Sequence, residues 1–313
     1  MNLIKNIVIL LLLSTILNIT SAQIITKSNS YKDMLYNSKY KEAINLIKDE
    51  IQKNPDEYVL YYDCGNAYKS LFQFDSAIIY LEKAVELNNN KIEILHSLGY
   101  CYTYYGMFEN AVNAYKKILL ITKNDILAMN KLAAVYIELN QLKLANQLYK
   151  SIIKVDSKNS YYYKQSGFCY LKMDSTDNAM KMYNYAYELN KKDIETIVRL
   201  GKLIYSTKNL EAAYQILRAG YELYPKNVQI NSVLADVCFE KKDYVETIVH
   251  LDRSIAGGDS SAMAYQKLGV TYYFLANSEF VNNIKEEERK FKSALYALEK
   301  SYEKDSNNAL TVL

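Results

Sequence analysis

A 34-residue internal repeat is the feature that most constrains how this 313-residue chain can fold. Shifting the sequence against itself by this step aligns one series of alanines: Ala43, Ala77, Ala111, Ala145, Ala179 and Ala213. A second series with the same step carries only small residues: Gly65, Gly99, Ala133, Gly167, Gly201, Ala235 and Gly269. A period of about 20 to 50 residues is typical of arrays in which each unit packs against its neighbours.

Within one unit the apolar residues have helical spacing. Leu95, Leu98 and Tyr102 share one helical face, and a second helical pattern begins at Phe108, directly after the turn residue Gly106. Only 2 Pro and 9 Gly interrupt the whole chain. Helices of about a dozen residues are marginal alone, so each hairpin must bury its remaining apolar face on the next. The sequence therefore predicts an all-α fold, a solenoid of about eight stacked helical hairpins.

The repeat resembles the tetratricopeptide repeat, whose motif places Leu-Gly and Tyr on a first helix and Ala on a second. Leu98, Gly99, Tyr102 and Ala111 carry that motif in one unit. The matching units begin at Ile24, Tyr58, Ile92, Ile126, Ser160, Ile194, Val228 and Ala262, and together they span residues 24–308. Two departures are that Tyr31 replaces the expected Gly of the first unit and that no unit carries the family's Trp.

The N-terminal segment differs in character from the repeats. Lys5 precedes an apolar stretch, Ile7–Leu17, which is followed by small residues ending at Ala22. This stretch is much shorter than the roughly 20 residues that a membrane-spanning helix needs. We therefore predict a signal peptide over residues 1–22 and export to the periplasm or the cell exterior, in a bacterial envelope. A retained N-terminal anchor is the alternative.

The C-terminal unit interrupts the period. Its two helical patterns are separated by 13 extra residues, 277–289. The charged run in this insertion is most simply a solvated extension of the second helix, and the alternative is a loop that contacts a partner. Residues 309–313 would begin a further unit, and no polar cap follows them. Since solenoids normally end in a polar cap, the sequence predicts either a longer parent protein or a partner that covers the last unit.

The composition argues against several classes of function. Removing the signal peptide would take Lys5 from the 38 Lys and Arg, leaving 37 against 35 Asp and Glu, so charge gives no case for nucleic acid or anionic membranes. The two histidines, His96 and His250, occupy different unit positions, and no motif for a nucleophile, a metal or a phosphate is present. We predict no catalytic residue, no cofactor and no metal.

The four cysteines lie on first helices, where other units carry Leu, Ala or Tyr. They are Cys64, Cys101, Cys169 and Cys238. This placement predicts buried thiols that act as small apolar side chains. A disulfide between Cys64 and Cys101, on neighbouring first helices, is the alternative, although it requires a specific geometry.

The resemblance implies an all-α, right-handed α-α superhelix, whose first helices line a concave surface that binds other proteins or peptides. The family's groove positions correspond here to Tyr62, Asn66, Tyr100, Tyr104, Asn130, Lys131, Tyr161, Lys164, Phe168, Arg199, Lys202 and Tyr205, and also to Lys69 and His96. The stretch from Asn130 to Tyr205 is the richest in cations and aromatic rings, the residue types that concentrate interface energy. The Lys and Asn set with which some members clamp a peptide C-terminus is absent.

The sequence thus predicts a non-enzymatic scaffold or adaptor of the cell envelope. Its partners would be proteins or peptides, without nucleic acid and without membrane insertion once the signal peptide is cleaved. Two alternatives remain open: the extracytoplasmic sensory part of a larger envelope receptor, and a glycan-binding protein in which tyrosines stack on sugars. The oligomeric state is open.

Overall fold

The computed structural model describes residues 31–277 and 284–305, and every regular element within them is a helix. The predicted signal peptide, residues 278–283 of the insertion and residues 309–313 lie outside the described ranges. Helix α1 is described over residues 31–36. The others are α2 Tyr40–Lys53, α3 Tyr58–Ser70, α4 Phe74–Leu87, α5 Ile92–Tyr105, α6 Phe108–Ile121, α7 Ile126–Glu138, α8 Leu142–Val155, α9 Ser160–Lys172, α10 Thr176–Leu189, α11 Ile194–Ser206, α12 Leu210–Leu223, α13 Val228–Glu240, α14 Tyr244–Ala256, α15 Ala262–Ala276 and α16 Ile284–Lys304.

The chain divides into two compact units, Met1–Leu148 and Tyr149–Leu313, with the division inside α8. In unit 1, the first helices α3 and α5 pack on the second helices α4 and α6. In unit 2, the corresponding pairs are α9 with α10, α11 with α12, α13 with α14, and α15 with α16. Second helices also pack on the next first helix, as α4 does on α5. The predicted all-α solenoid of stacked helical hairpins is confirmed.

The repeating small residues allow the two helices of a hairpin to cross closely. A Cβ atom at Gly65 would lie 2.6 Å from Leu81 Cγ, and one at Gly99 would lie 2.8 Å from Tyr115 Cζ. Both distances are far shorter than the roughly 3.5 to 4.0 Å of a normal carbon contact. Leu81 and Tyr115 are fully buried. Glycine at this position of the repeat is therefore a packing requirement.

The turn between first and second helices repeats with the same period. Its residue with positive φ is Ser38, Phe72, Gly106, Asn140, Asp174, Lys208 or Lys242 in successive hairpins. The turn closes through a backbone hydrogen bond, for example from the Met107 N–H to the Tyr102 carbonyl at 2.8 Å. Glycine adopts this left-handed conformation freely, whereas other residues incur a cost of about 1 to 2 kcal/mol.

All four cysteines are buried, free thiols, so no disulfide links Cys64 to Cys101. Burial raises the pKa of Cys64 and of Cys238 to about 12. The same cause raises the pKa of Cys101 and of Cys169 to about 11. These side chains therefore stay protonated at neutral pH and pack as small apolar groups.

No helix within the described ranges is both long enough and apolar enough to cross a membrane.

Candidate functional site: the first-helix surfaces

An exposed aromatic cluster lies on the first-helix surface of unit 1, the surface carried by α3, α5 and α7. It consists of Phe72, Phe74, Tyr100 and Tyr104. The Tyr100 and Tyr104 ring centroids are 4.4 Å apart, and Phe74 stacks on Tyr104 at 5.5 Å. Phe72 meets Phe74 edge-on at 6.2 Å. Phe72 and Tyr104 remain 77% and 62% exposed, so a large aromatic area is available to a partner.

Two lysines flank this cluster. The Nζ atoms of Lys69 and Lys131 each lie 5.9 Å from the centroid of the Tyr100 ring, within cation–π range. Lys69 Nζ also donates hydrogen bonds to Asn66 Oδ1 at 2.6 Å and to Ser97 Oγ at 3.1 Å. Both acceptors are neutral. Burial lowers the pKa of Lys69, because the charged ammonium is partly removed from water.

A cavity of about 370 Å³ opens beside Tyr100. Its lining includes Lys69, Phe72, His96, Ser97, Tyr100 and Lys131, and no Asp or Glu of the described residues contributes to it. A second cavity of about 380 Å³ shares Tyr100 and Lys131 with the first and continues towards Tyr104 and Glu138. The two cavities are therefore adjacent. We refer to the pair as the depression, with Lys69 in one cavity and Glu138 in the other.

A helix cap positions His96 at the edge of the first cavity. Asp125 is the N-cap of α7, and its Oδ1 accepts the Ala128 N–H at 2.8 Å. The other carboxylate oxygen, Oδ2, lies 3.3 Å from His96 Nε2. The start of α7 thus fixes a carboxylate that holds the imidazole on α5 in place.

The first-helix surface of unit 2, carried by α9, α11 and α13, has a different electrostatic arrangement. Lys164 Nζ lies 3.1 Å from Asp193 Oδ2 and 3.0 Å from Glu195 Oε2. Glu195 Oε1 also pairs with Arg199 Nε at 2.9 Å. Burial alone would raise the pKa values of Asp193 and Glu195, but their hydrogen bonds and the facing cations lower them. The cations at this point are neutralised by the protein itself.

The aromatic residues of unit 2 accompany these ion pairs. The Arg199 guanidinium carbon lies 5.8 Å from the Phe168 ring centroid, and Lys172 Nζ lies at the same distance. Tyr161 is 41% exposed, and its ring meets its neighbour Tyr162 edge-on. These side chains offer cation–π and apolar contacts. Arg199 is paired with Glu195, whereas Lys172 forms no ion pair with a carboxylate of the described residues.

Comparison with known proteins agrees with this architecture. A model for the tetratricopeptide repeat matches residues 58–91 and 92–125. A model for subunit 3 of the anaphase-promoting complex, or cyclosome, matches residues 172–254. The chain therefore contains tetratricopeptide repeats over residues 58–125. No curated protein sequence is significantly similar to it.

Solved tetratricopeptide repeat structures share the fold at low sequence identity. The C-terminal part of a repeat protein from Cytophaga hutchinsonii aligns with a TM-score of 0.68 and 14% identity, over 77% of this chain and 98% of that chain. A tetratricopeptide repeat protein from Parabacteroides merdae aligns with a TM-score of 0.54 and 16% identity, over 78% of this chain and 97% of that chain. YrrB, described as having an unusual peptide-binding site, aligns with a TM-score of 0.50 and 19% identity, over 59% of this chain and 95% of that chain.

The tetratricopeptide positions predicted to bind a partner fall into two groups, one in each unit. In unit 1, Asn66, Tyr100, Tyr104 and Lys131 surround the cavities, while Asn130 has a buried Oδ1 without a hydrogen-bond partner in the described part of the chain. Tyr62, also in unit 1, is half-buried on α3.

In unit 2, the structure places Phe168 against Arg199 and pairs Lys164 with carboxylates, as described above. Tyr205 lies beside Lys208, whose Nζ is 5.8 Å from the Tyr205 ring centroid. Lys202 is exposed on α11. Among the tetratricopeptide positions chosen from the sequence, the structure of unit 2 thus joins Phe168 to Arg199, and Arg199 to Lys164 through Glu195.

Five residues that line the unit 1 cavity were not among the positions predicted from the sequence: Ser70, Phe72, Ser97, Tyr115 and Leu127. Phe72 lies in the turn after α3, outside the helical positions from which a tetratricopeptide groove is usually predicted. A usable signal was present. Phe72 is the one aromatic residue in the series of turn residues spaced by 34 from Ser38 to Lys242.

Proposed function

We propose that this protein is a non-catalytic interaction scaffold that binds segments of other proteins on its first-helix surfaces. The observation that carries the proposal is that aromatic and cationic side chains lie together on these surfaces in both units. The exposed rings are Phe72 and Tyr104 in unit 1 and Tyr161 in unit 2. The half-buried rings of Tyr100 and Phe168 contact lysines in unit 1 and unit 2, respectively. Aromatic and cationic side chains of this kind concentrate the binding energy of protein interfaces. The peptide-binding site described for YrrB supports the same use of the fold.

We also propose that the scaffold works in the cell envelope. The support is the predicted signal peptide, residues 1–22, with its basic start, short apolar stretch and small-residue end. Fractionation of the native host, with N-terminal sequencing of the recovered protein, tests this location. A chain that begins at Gln23 in the envelope fraction would support export, and a chain that keeps its first 22 residues in the cytoplasm would contradict it.

Site-specific photo-crosslinking in the native host tests the interaction surface. Replacing Tyr161 with p-benzoylphenylalanine puts a crosslinker on the first-helix surface of unit 2, where the native side chain is 41% exposed. Tyr185, on the second helix α10, is 55% exposed and serves as the matched control. We expect protein adducts from position 161 and few from position 185. Equal yields from both positions, or no adduct from position 161, would contradict the proposed surface.

A further inference from the structure

We propose that the cavity beside Tyr100 in unit 1 binds an internal acidic side chain, Asp or Glu, of an extended partner segment. An apolar side chain next to that acid would pack on Phe72. This inference rests on the proposed function, because it assigns a ligand chemistry to one part of the first-helix surface. Its support comes from the charges around the cavity, the burial of Lys69, the backbone of Phe72 and the shape of the depression.

The cavity carries positive charge that the protein does not neutralise. Lys69 and Lys131 both line it, no Asp or Glu does, and neither ammonium forms an ion pair within the described part of the chain. Lys164 and Arg199 of the unit 2 surface differ, because each of them pairs with a carboxylate. An anionic ligand would therefore gain attraction in unit 1 without breaking an existing ion pair.

Lys69 is held in place for such a ligand. Its hydrogen bonds to Asn66 Oδ1 and Ser97 Oγ fix the ammonium, and Ser97 Oγ in turn donates to Asn66 Oδ1 at 2.9 Å. These acceptors orient the charge but do not compensate it. Partial burial, which lowers the pKa of Lys69, also strengthens the attraction between its ammonium and a bound carboxylate.

Phe72 provides an independent observation at the same cavity. Its φ is +58°, a left-handed conformation that is unusual for a bulky residue. The other turn residues of the series are glycine or polar: Ser38, Gly106, Asn140, Asp174, Lys208 and Lys242. Phe72 is nevertheless 77% exposed, so packing within the chain does not explain its presence. Strained residues of this kind cluster at ligand sites, where the side chain is kept for binding.

The shape of the depression favours an internal acidic residue over a chain terminus. The cavity with Lys69 shares Tyr100 and Lys131 with the adjacent cavity that carries Glu138. An extended segment can place its acidic side chain between the lysines and still continue along both cavities. A terminal carboxylate would end the segment at the lysines and leave the second cavity unused.

A random decapeptide display library, presented to the immobilised full-length chain, tests the inference. In one arm the random segment is embedded between constant residues, so that it has no free C-terminus, and in a second arm the C-terminus is free. We expect the embedded arm to be enriched in peptides with Asp or Glu beside an apolar residue. Enrichment of peptides without an acidic residue, or only of peptides with a free C-terminus, would overturn the inference.

Variants then locate the site, with the affinity of the most enriched embedded peptide measured by fluorescence anisotropy. Lys131→Gln and Lys69→Gln should each weaken peptide binding about tenfold. When the acidic residue of the peptide is replaced with its amide, Lys131→Gln and the native chain should bind the peptide with equal affinity. Lys48→Gln is the matched control, because Lys48 lies on the second helix α2 of the same unit and its Nζ is 5.5 Å from the centroid of the Tyr68 ring. Unchanged affinity in Lys131→Gln, or equal losses in Lys48→Gln, would overturn the inference.

Phe72→Asn provides a further test that is insensitive to unfolding. Asn tolerates the left-handed conformation, as Asn140 does at the equivalent turn, so the melting temperature should be unchanged or higher while peptide affinity falls. If this variant binds the peptide with the affinity of the native chain, Phe72 is not part of the binding site. If neither library arm yields any enriched peptide, the proposed function fails as well, whereas enrichment without acidic selectivity overturns only this inference.

Discussion

The stability of unit 2 should depend on pH through the buried histidine His250. Its ring is fully buried, and Nδ1 lies 2.9 Å from Asn231 Oδ1. The Asn231 amide nitrogen already donates to the carbonyl oxygens of Pro225, at 2.9 Å, and Asn227, at 2.8 Å. Because both amide hydrogens are used, Asn231 offers only its oxygen to the imidazole. The neutral tautomer with hydrogen on Nδ1 is therefore the one that fits.

The remaining ring nitrogen decides how protonation affects folding. Nε2 of His250 is buried without a hydrogen bond in the described part of the chain, and its nearest charge is Glu246 Oε2 at 3.3 Å. Burial lowers the pKa of His250 and outweighs the opposing attraction of Glu246 and Asp243, while Arg218 lowers it further. The Tyr221 ring packs edge-on against the imidazole at 5.0 Å and contributes no charge that would favour the protonated form.

The sign and size of the effect follow from proton linkage. Since the pKa of His250 is lower in the folded chain than the usual value of about 6.5, the unfolded chain binds the proton first. Stability is complete above about pH 6.5 and falls as the pH drops towards the folded pKa, with a maximum slope of about 1.4 kcal/mol per pH unit. Asp193 and Glu195, whose pKa values are lowered, affect stability only in more acidic solution.

Urea unfolding between pH 7.5 and 5.5, followed by circular dichroism, measures this slope. The native chain should lose stability across the range, and His250→Gln should show a much smaller dependence. His96→Gln is the control, because His96 is only partly buried and should leave the native slope in place. A native unfolding free energy that is constant with pH, equal slopes in the native chain and His250→Gln, or NMR detection of hydrogen on Nε2 instead of Nδ1 would refute the reasoning.

Two further predictions concern helix packing and capping in unit 2. Gly167→Leu should destabilise the chain by about 1 to 3 kcal/mol through overpacking. The reason is that even a Cβ atom at this position would lie 3.0 Å from Cδ2 of the fully buried Tyr183. An unchanged melting temperature would contradict the close crossing of the two helices. Asp193→Ala should lower the free energy of unfolding, measured with urea at pH 7, by about 1 kcal/mol or more. Asp193 caps α11 by accepting a hydrogen bond from the Thr196 N–H at 3.3 Å, and it also pairs with Lys164. An unfolding midpoint equal to that of the native chain would exclude this role.

The sequence alone determined the hairpins and their stacking. The reason is steric: two helices cross closely only where one presents a hydrogen or a methyl group, so Gly65 and Gly99 had to recur at the spacing of the repeat. The thiol of Cys64 followed in the same way, because its position is apolar in other units and is buried here. Packing requirements of this kind can be predicted from a repeat, because every unit must meet them at the same position.

The tertiary structure alone decided which cations are available to a ligand. The sequence placed Lys164 and Lys131 at equivalent kinds of surface position. Only the tertiary structure pairs Lys164 with Asp193, whereas Lys131 forms no ion pair with a carboxylate of the described residues. Ion pairing depends on side-chain conformations and on charges contributed by the next hairpin, which a repeat pattern does not encode. The left-handed backbone of Phe72 is likewise a property of the folded turn, where the geometry of the hairpin overrides the preference of the residue.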